Sequence, residues 1–206
     1  MSSTPGIDAA AERSDLVQEA LALARRAHAG QIRTGSTDGM PFVEHPIAVA
    51  ERLAKHRCGD DVLAAALLHD VVEKSEIEVE EVRERFGEKI GGLVEALTEN
   101  DSIPDYEERK KEHRWRVAEA GPPAIAIFAA DKLTNVAMLR ETFALIGEEG
   151  VSEELQVSLD LKIYVWEEDL EMLFDRAPAL PLTEEFADEM VALWGDRVRD
   201  VRYRSD

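Results

Sequence analysis

The sequence predicts an all-α fold, and three observations lead there. Apolar residues recur three and four positions apart through most of the chain. No stretch alternates apolar and polar residues between hairpin turns, and glycine or proline punctuates the periodic segments. Counting those segments gives a bundle of about eight to ten helices.

Taken in chain order, Asp8 is a suitable N-cap for a first helix carrying Leu16, Ala20, Leu23, Ala24 and Ala27, with Gly30 as its stop. Residues 33 to 41 hold two glycines and a proline and read as a loop. Pro46 fits the first turn of a second helix, continued by Ile47, Val49, Ala50, Leu53 and Ala54. Gly59-Asp60-Asp61 caps the next, expected to run to Lys74, and an acidic helix follows from Ser75 to a stop at Gly87. Ile90, Leu93, Val94 and Leu97 share one helical face. After a turn over residues 100 to 104 comes a highly charged helix reaching Glu119, on which Arg109-Lys110-Lys111 reads as a solvated face with possible phosphate contacts as the alternative. Gly121-Pro122-Pro123 opens a helix whose residues 124 to 130 are apolar on every side, the mark of a buried segment. Residues 152 to 174 and 183 to 203 then form two amphipathic helices separated by Pro178 and Pro181.

A chain of 206 residues with 45% hydrophobic content supports one sizeable core, so residues 1 to 206 are expected to be a single domain. The formal net charge of −20, from 44 acidic against 24 basic side chains, argues against general affinity for DNA, RNA or an anionic membrane. A small anionic ligand remains compatible, since local charge at a site decides that. Cys58 stands alone, which excludes an intrachain disulfide and a thiolate zinc cluster. No apolar run approaches the roughly 20 residues of a membrane span, and the first six residues carry no basic segment followed by an apolar one, so a cytoplasmic setting is expected. The oligomeric state is left open.

The chemistry concentrates in Ala66-Leu67-Leu68-His69-Asp70-Val71-Val72-Glu73-Lys74, where an apolar run ends in polar residues. On a continuous helix His69, Asp70 and Glu73 share roughly one face. An adjacent His-Asp pair offers a metal one nitrogen and one oxygen, and a Glu one turn later suits water activation. Two neighbouring ligands do not close a site. His45, in Glu44-His45-Pro46, and Asp131, at the end of the apolar run, are the candidates that complete it. Each has a plainer alternative, a hydrogen-bonded structural histidine and a buried cap.

These motifs are shared by a known family. Ala27-His28-Ala29-Gly30-Gln31, Arg33, Phe42-Val43-Glu44-His45-Pro46, residues 66 to 73, Phe86-Gly87, Leu97-Thr98 and Ala130-Asp131-Lys132-Leu133 with Asn135 resemble the HD-domain (p)ppGpp hydrolases. Order and spacing are similar to the hydrolase half of the RelA/SpoT proteins, and closer to the stand-alone small alarmone hydrolases of the Mesh type. The resemblance covers about residues 20 to 145, leaving residues 152 to 204 as covering helices.

The resemblance implies one divalent metal held by His45, His69, Asp70 and Asp131, usually Mn²⁺. Mixed nitrogen and oxygen ligation alone leaves Mn, Fe, Zn and Mg open. It further implies that Glu73, with Asp70, serves catalysis by orienting or deprotonating the water that attacks a 3′-diphosphate. Arg33 would contact the base and Asn135 the nucleotide. Three positions depart from the pattern: Lys74 stands where an Asp is usual, Thr34 where a Lys often follows the Arg, and Thr134 where an aromatic residue or His precedes the Asn. Lys74 could hold a phosphate oxygen or mark altered activity. The alternatives are therefore an HD phosphohydrolase of another nucleotide or dinucleotide, and a non-catalytic HD protein that binds metal or nucleotide.

Overall fold

Residues 63 to 68 are all buried, none more than 3% exposed, so this part of their helix has no solvent face. The computed structural model describes residues 6–33, 39–155 and 157–198. Their helices are α1 (Ile7–Ala11), α2 (Asp15–Ala27), α3 (Glu44–Lys55), α4 (Asp60–Leu68), α5 (Val71–Lys74), α6 (Val79–Phe86), α7 (Glu88–Leu97), α8 (Tyr106–Ala120), α9 (Pro122–Glu154), α10 (Leu159–Arg176) and α11 (Pro181–Trp194). Nine have eight residues or more; α1 and α5 are short. The fold is all-α, and among the described residues the sole β pairing is an isolated antiparallel bridge between Ile32 and Pro41.

Helix α4 is the centre, packed against α2, α3, α7 and α9. One cluster of buried apolar side chains extends from Ile7 on α1 to Trp194 at the end of α11. Leu67 is fully buried in it. Leu67→Ala is expected to cost about 2–5 kcal/mol of stability, read by denaturant unfolding, because so enclosed a site has little room to collapse.

Local chemistry explains most boundaries. Asp105 caps α8 by accepting the Glu108 amide at 2.9 Å. Gly121, at φ +86°, ends α8 and turns directly into Pro122 at the first position of α9.

Four expectations are corrected. The first helix is two, since the chain is extended at Ser14 (φ −138°, ψ 111°) and Asp8 lies in the first turn of α1 rather than capping it. The helix from Asp60 does not reach Lys74 unbroken; it divides at His69 and Asp70. Residues 152 to 154 belong to the end of α9, which bends at Gly147 (φ 71°), and α10 begins only at Leu159 after the Ser158 cap accepts the Leu161 amide. Arg109 and Lys110 do not form a solvated face: both bond Glu99, and only Lys111 is exposed. The first five residues, loop residues 34–38 with Thr34, and the helix proposed beyond residue 198 lie outside the described residues.

Candidate metal centre

The break between α4 and α5 presents His69 and Asp70. His69 Nδ1 lies 2.7 Å from the Ala66 carbonyl oxygen, the acceptor that an unbroken helix would offer to the Asp70 amide. Donating there leaves Nε2 with its lone pair directed away from the backbone. Past the break, the Lys74 amide returns to the Asp70 carbonyl at 2.9 Å, so Asp70 opens the single turn of α5 that carries Glu73.

His45 enters from the first turn of α3 and Asp131 from the buried half of α9. A side-chain bond ties these helices together, with Arg52 Nε donating to Thr134 Oγ1 at 3.0 Å, which accounts for a buried threonine in the turn after Asp131. His45 Nε2 is 2.9 Å from Asp131 Oδ1 and 3.7 Å from Asp70 Oδ2. His69 Nε2 is 3.3 Å from Asp70 Oδ2 and 3.8 Å from Asp131 Oδ1. Ligand atoms of His45, His69 and Asp131 all fall within 4.8 Å of one another, and Asp70 adds an oxygen beside both imidazoles.

This donor set fits a divalent metal. Ligands about 2.0–2.2 Å from one ion stand roughly 3–3.5 Å apart, and these separations of 2.9 to 3.8 Å bracket that range. His69 Nε2 is buried with no hydrogen-bond partner among the described residues. Burial pushes the His45 imidazole below its ordinary range against the opposing pull of Asp131, so it is neutral, as a ligand must be. Burial works against ionising Asp131, but Lys132 and the His45 bond outweigh it and hold the carboxyl well below the usual range. Asp70 is lowered in the same way, with burial overcome by His69 and His45.

Of the other sequence-predicted residues, Asn135 lies one turn beyond Asp131 and donates to its Oδ1 at 2.8 Å. Arg33 donates to Asn135 Oδ1 at 2.5 Å and its guanidinium lies 5.8 Å from the Phe42 ring centroid. Two backbone bonds pin Arg33 at the neck of its loop, from its own amide to the Met40 carbonyl and from the Phe42 amide to the Gln31 carbonyl. Lys74 pairs with Glu73 Oε1, and its carbonyl accepts from Gln31 Nε2 at 2.7 Å. With the two side chains 44% and 17% exposed, this is an ion pair that an incoming anion can displace.

Two residues beside the centre belong to the motifs quoted from the sequence but were given no role there. His28 is 2% exposed, stacks 4.8 Å from Phe42 and bonds Gln31 through Nδ1. Lys132 is buried and places Nζ 2.9 Å from Asp131 Oδ2. A lysine directly after an apolar run and a candidate ligand was the available signal for the second.

The model of the HD domain matches residues 20–142. This chain belongs to the HD-domain family. Among HD relatives, it is 38% identical over 121 residues to the human guanosine-3′,5′-bis(diphosphate) 3′-pyrophosphohydrolase MESH1, covering 57% of this chain and 66% of that one. It is 32% identical over 130 residues to the Aquifex aeolicus guanosine-3′,5′-bis(diphosphate) 3′-pyrophosphohydrolase, covering 62% of this chain and 18% of the longer protein. The chain thus spans less than two thirds of either relative. A solved structure, described as a metazoan ortholog of SpoT that hydrolyses ppGpp and plays a role in starvation responses, superposes with TM-score 0.72 at 27% identity. That match covers 88% of this chain and 97% of that one, so the likeness continues past the HD domain into the C-terminal helices.

Proposed function

We propose that the chain is a single-domain, metal-dependent phosphohydrolase that removes the 3′-diphosphate from (p)ppGpp or a closely related nucleotide in the cytoplasm. The observation that carries this reading is the convergence of His45, His69, Asp70 and Asp131 from three separate segments. The substrate class is taken from what the relatives are named to act on. A cytoplasmic setting is supported by the lone Cys58 and by the finding that no helix among the described residues is long and apolar enough to cross a membrane.

Those four side chains would hold one divalent ion, Mn²⁺ by family resemblance. When bound, the ion supplies a Lewis acid for a phosphoryl oxygen and lowers the pKa of a water. Glu73 accepts a proton from the attacking water as its oxygen bonds to the sugar-linked phosphorus. The phosphorus–O3′ bond breaks, the 3′-oxygen takes up a proton, and pyrophosphate and a nucleoside 5′-diphosphate result. Arg33, held by Asn135 and Phe42, presents a planar guanidinium to a base or phosphate, and Asn135 orients the nucleotide beside Asp131.

The Glu73–Lys74 pair favours a second reading, in which the same chemistry acts on another phosphorylated nucleotide. Both readings are tested by supplying Mn²⁺ and a panel of phosphorylated nucleotides, scoring pyrophosphate and inorganic phosphate separately. Pyrophosphate from ppGpp supports the first. Turnover of another nucleotide alone supports the second, and no turnover of any nucleotide by metal-loaded protein overturns both. Lys74→Asp is expected to raise ppGpp turnover if the lysine redirected the site.

A further inference from the structure

Helix α5 is a single turn of four residues, too short to hold itself by its own backbone bonds, and it carries Glu73 one residue before its end. Ser75, at φ −142° and ψ −173°, leaves the helix in extended backbone, so no following turn supplies amides to the last carbonyls of α5. Side chains supply the donors instead. The Ser75 hydroxyl donates to the Val71 carbonyl at 2.6 Å. The Lys74 carbonyl accepts from 43 positions away, from Gln31 Nε2 at 2.7 Å.

Gln31 is itself fixed on both sides. Its amide donates to the His28 carbonyl at 3.1 Å and its carbonyl accepts from the Phe42 amide at 2.9 Å. The carboxamide has one orientation that satisfies its neighbours: the carbonyls of Lys74 and, at 3.4 Å, Ala27 only accept, so they face the nitrogen, and the oxygen is left to His28 Nδ1 at 3.0 Å. An amide oxygen accepts, so Nδ1 carries the proton. The His28 ring is 2% exposed, packs 4.8 Å from Phe42 and finds no partner for Nε2 among the described residues, so its hydrogen bonding goes to Gln31. We propose that Gln31, oriented by His28, is a positioning residue that holds the end of α5 and thereby sets Glu73 against the metal centre. The bond reaches the main chain at position 74, so it is indifferent to whether a lysine or an aspartate stands there. This role rests on the reading of Glu73 as the proton acceptor.

The test uses Gln31→Met, which keeps the length of the side chain and removes both of its bonds, in Mn²⁺-loaded protein. Amide hydrogen exchange over residues 71 to 74, read by mass spectrometry, should quicken while residues 63 to 68 exchange as in wild type. Metal content and KM should hold, and kcat for pyrophosphate release should fall about ten- to a hundredfold, the cost of a displaced catalytic group. Introduced into Glu73→Gln, the same change should leave kcat nearly where it was, because the group it positions is already gone. His28→Phe keeps a ring on Phe42 and removes the Nδ1 proton; it should lower kcat in the same direction by a smaller factor, and it serves if Gln31→Met does not fold. Unchanged exchange, quickened exchange with wild-type kcat, loss of metal, or a fall in kcat as large in Glu73→Gln as in wild type each overturns the positioning role. Wild-type protein that turns over no nucleotide defeats the proposed reaction instead, and exchange over residues 71 to 74 still decides whether Gln31 holds α5.

Discussion

His69→Ala is expected to strip the protein of its divalent metal and lower pyrophosphate release at least about a thousandfold. Several kcal/mol of transition-state stabilisation come from such an ion, and each 1.36 kcal/mol is a factor of ten. The fold should survive. His69 is at a helix junction rather than within α4, and the six buried residues before it hold that helix in place. Metal content after dialysis, measured beside turnover and helical circular dichroism, separates the outcomes. A variant that keeps stoichiometric metal and activity would remove His69 from the ligand set. Asp70→Ala should behave alike, since Asp70 Oδ2 lies beside both imidazoles.

Glu73→Gln should produce a different signature, with metal retained, KM little changed and kcat down about 10²- to 10⁴-fold, the usual contribution of a positioned general base. Glutamine keeps the shape of the side chain and loses the proton acceptor. It also breaks the ion pair with Lys74, freeing that ammonium for the substrate. Retained substrate affinity with lost turnover therefore separates a base from a structural carboxylate. A variant as active as wild type would leave water activation without Glu73.

Helix periodicity made most of the bundle legible in the sequence, and the His69-Asp70 pair with its apolar approach marked the site. Local patterns miss events decided by side chains. Nothing in the periodicity of residues 60 to 74 signals that His69 takes the Ala66 carbonyl and divides the helix. Lys110 and Arg109 sit in a stretch polar enough to pass for a solvated face, yet Glu99, ten and eleven positions earlier, draws both inward. Burial of His28 depends in the same way on a partner brought by another segment, Phe42, whereas Lys132 is held by its own neighbour Asp131. Helix α9 bends at Gly147 and continues to Glu154, which the apolar run over residues 124 to 130 does not signal.

The neck of the loop after α2 has an evolutionary implication. The Ile32–Pro41 bridge and its flanking backbone bonds anchor Arg33 on one side and lead straight to His45 on the other. Substitutions or insertions at the tip between them need not shift either residue. Changes in chain length between positions 33 and 41 and changes in the scaffold that carries His45 thus fall under separate constraints.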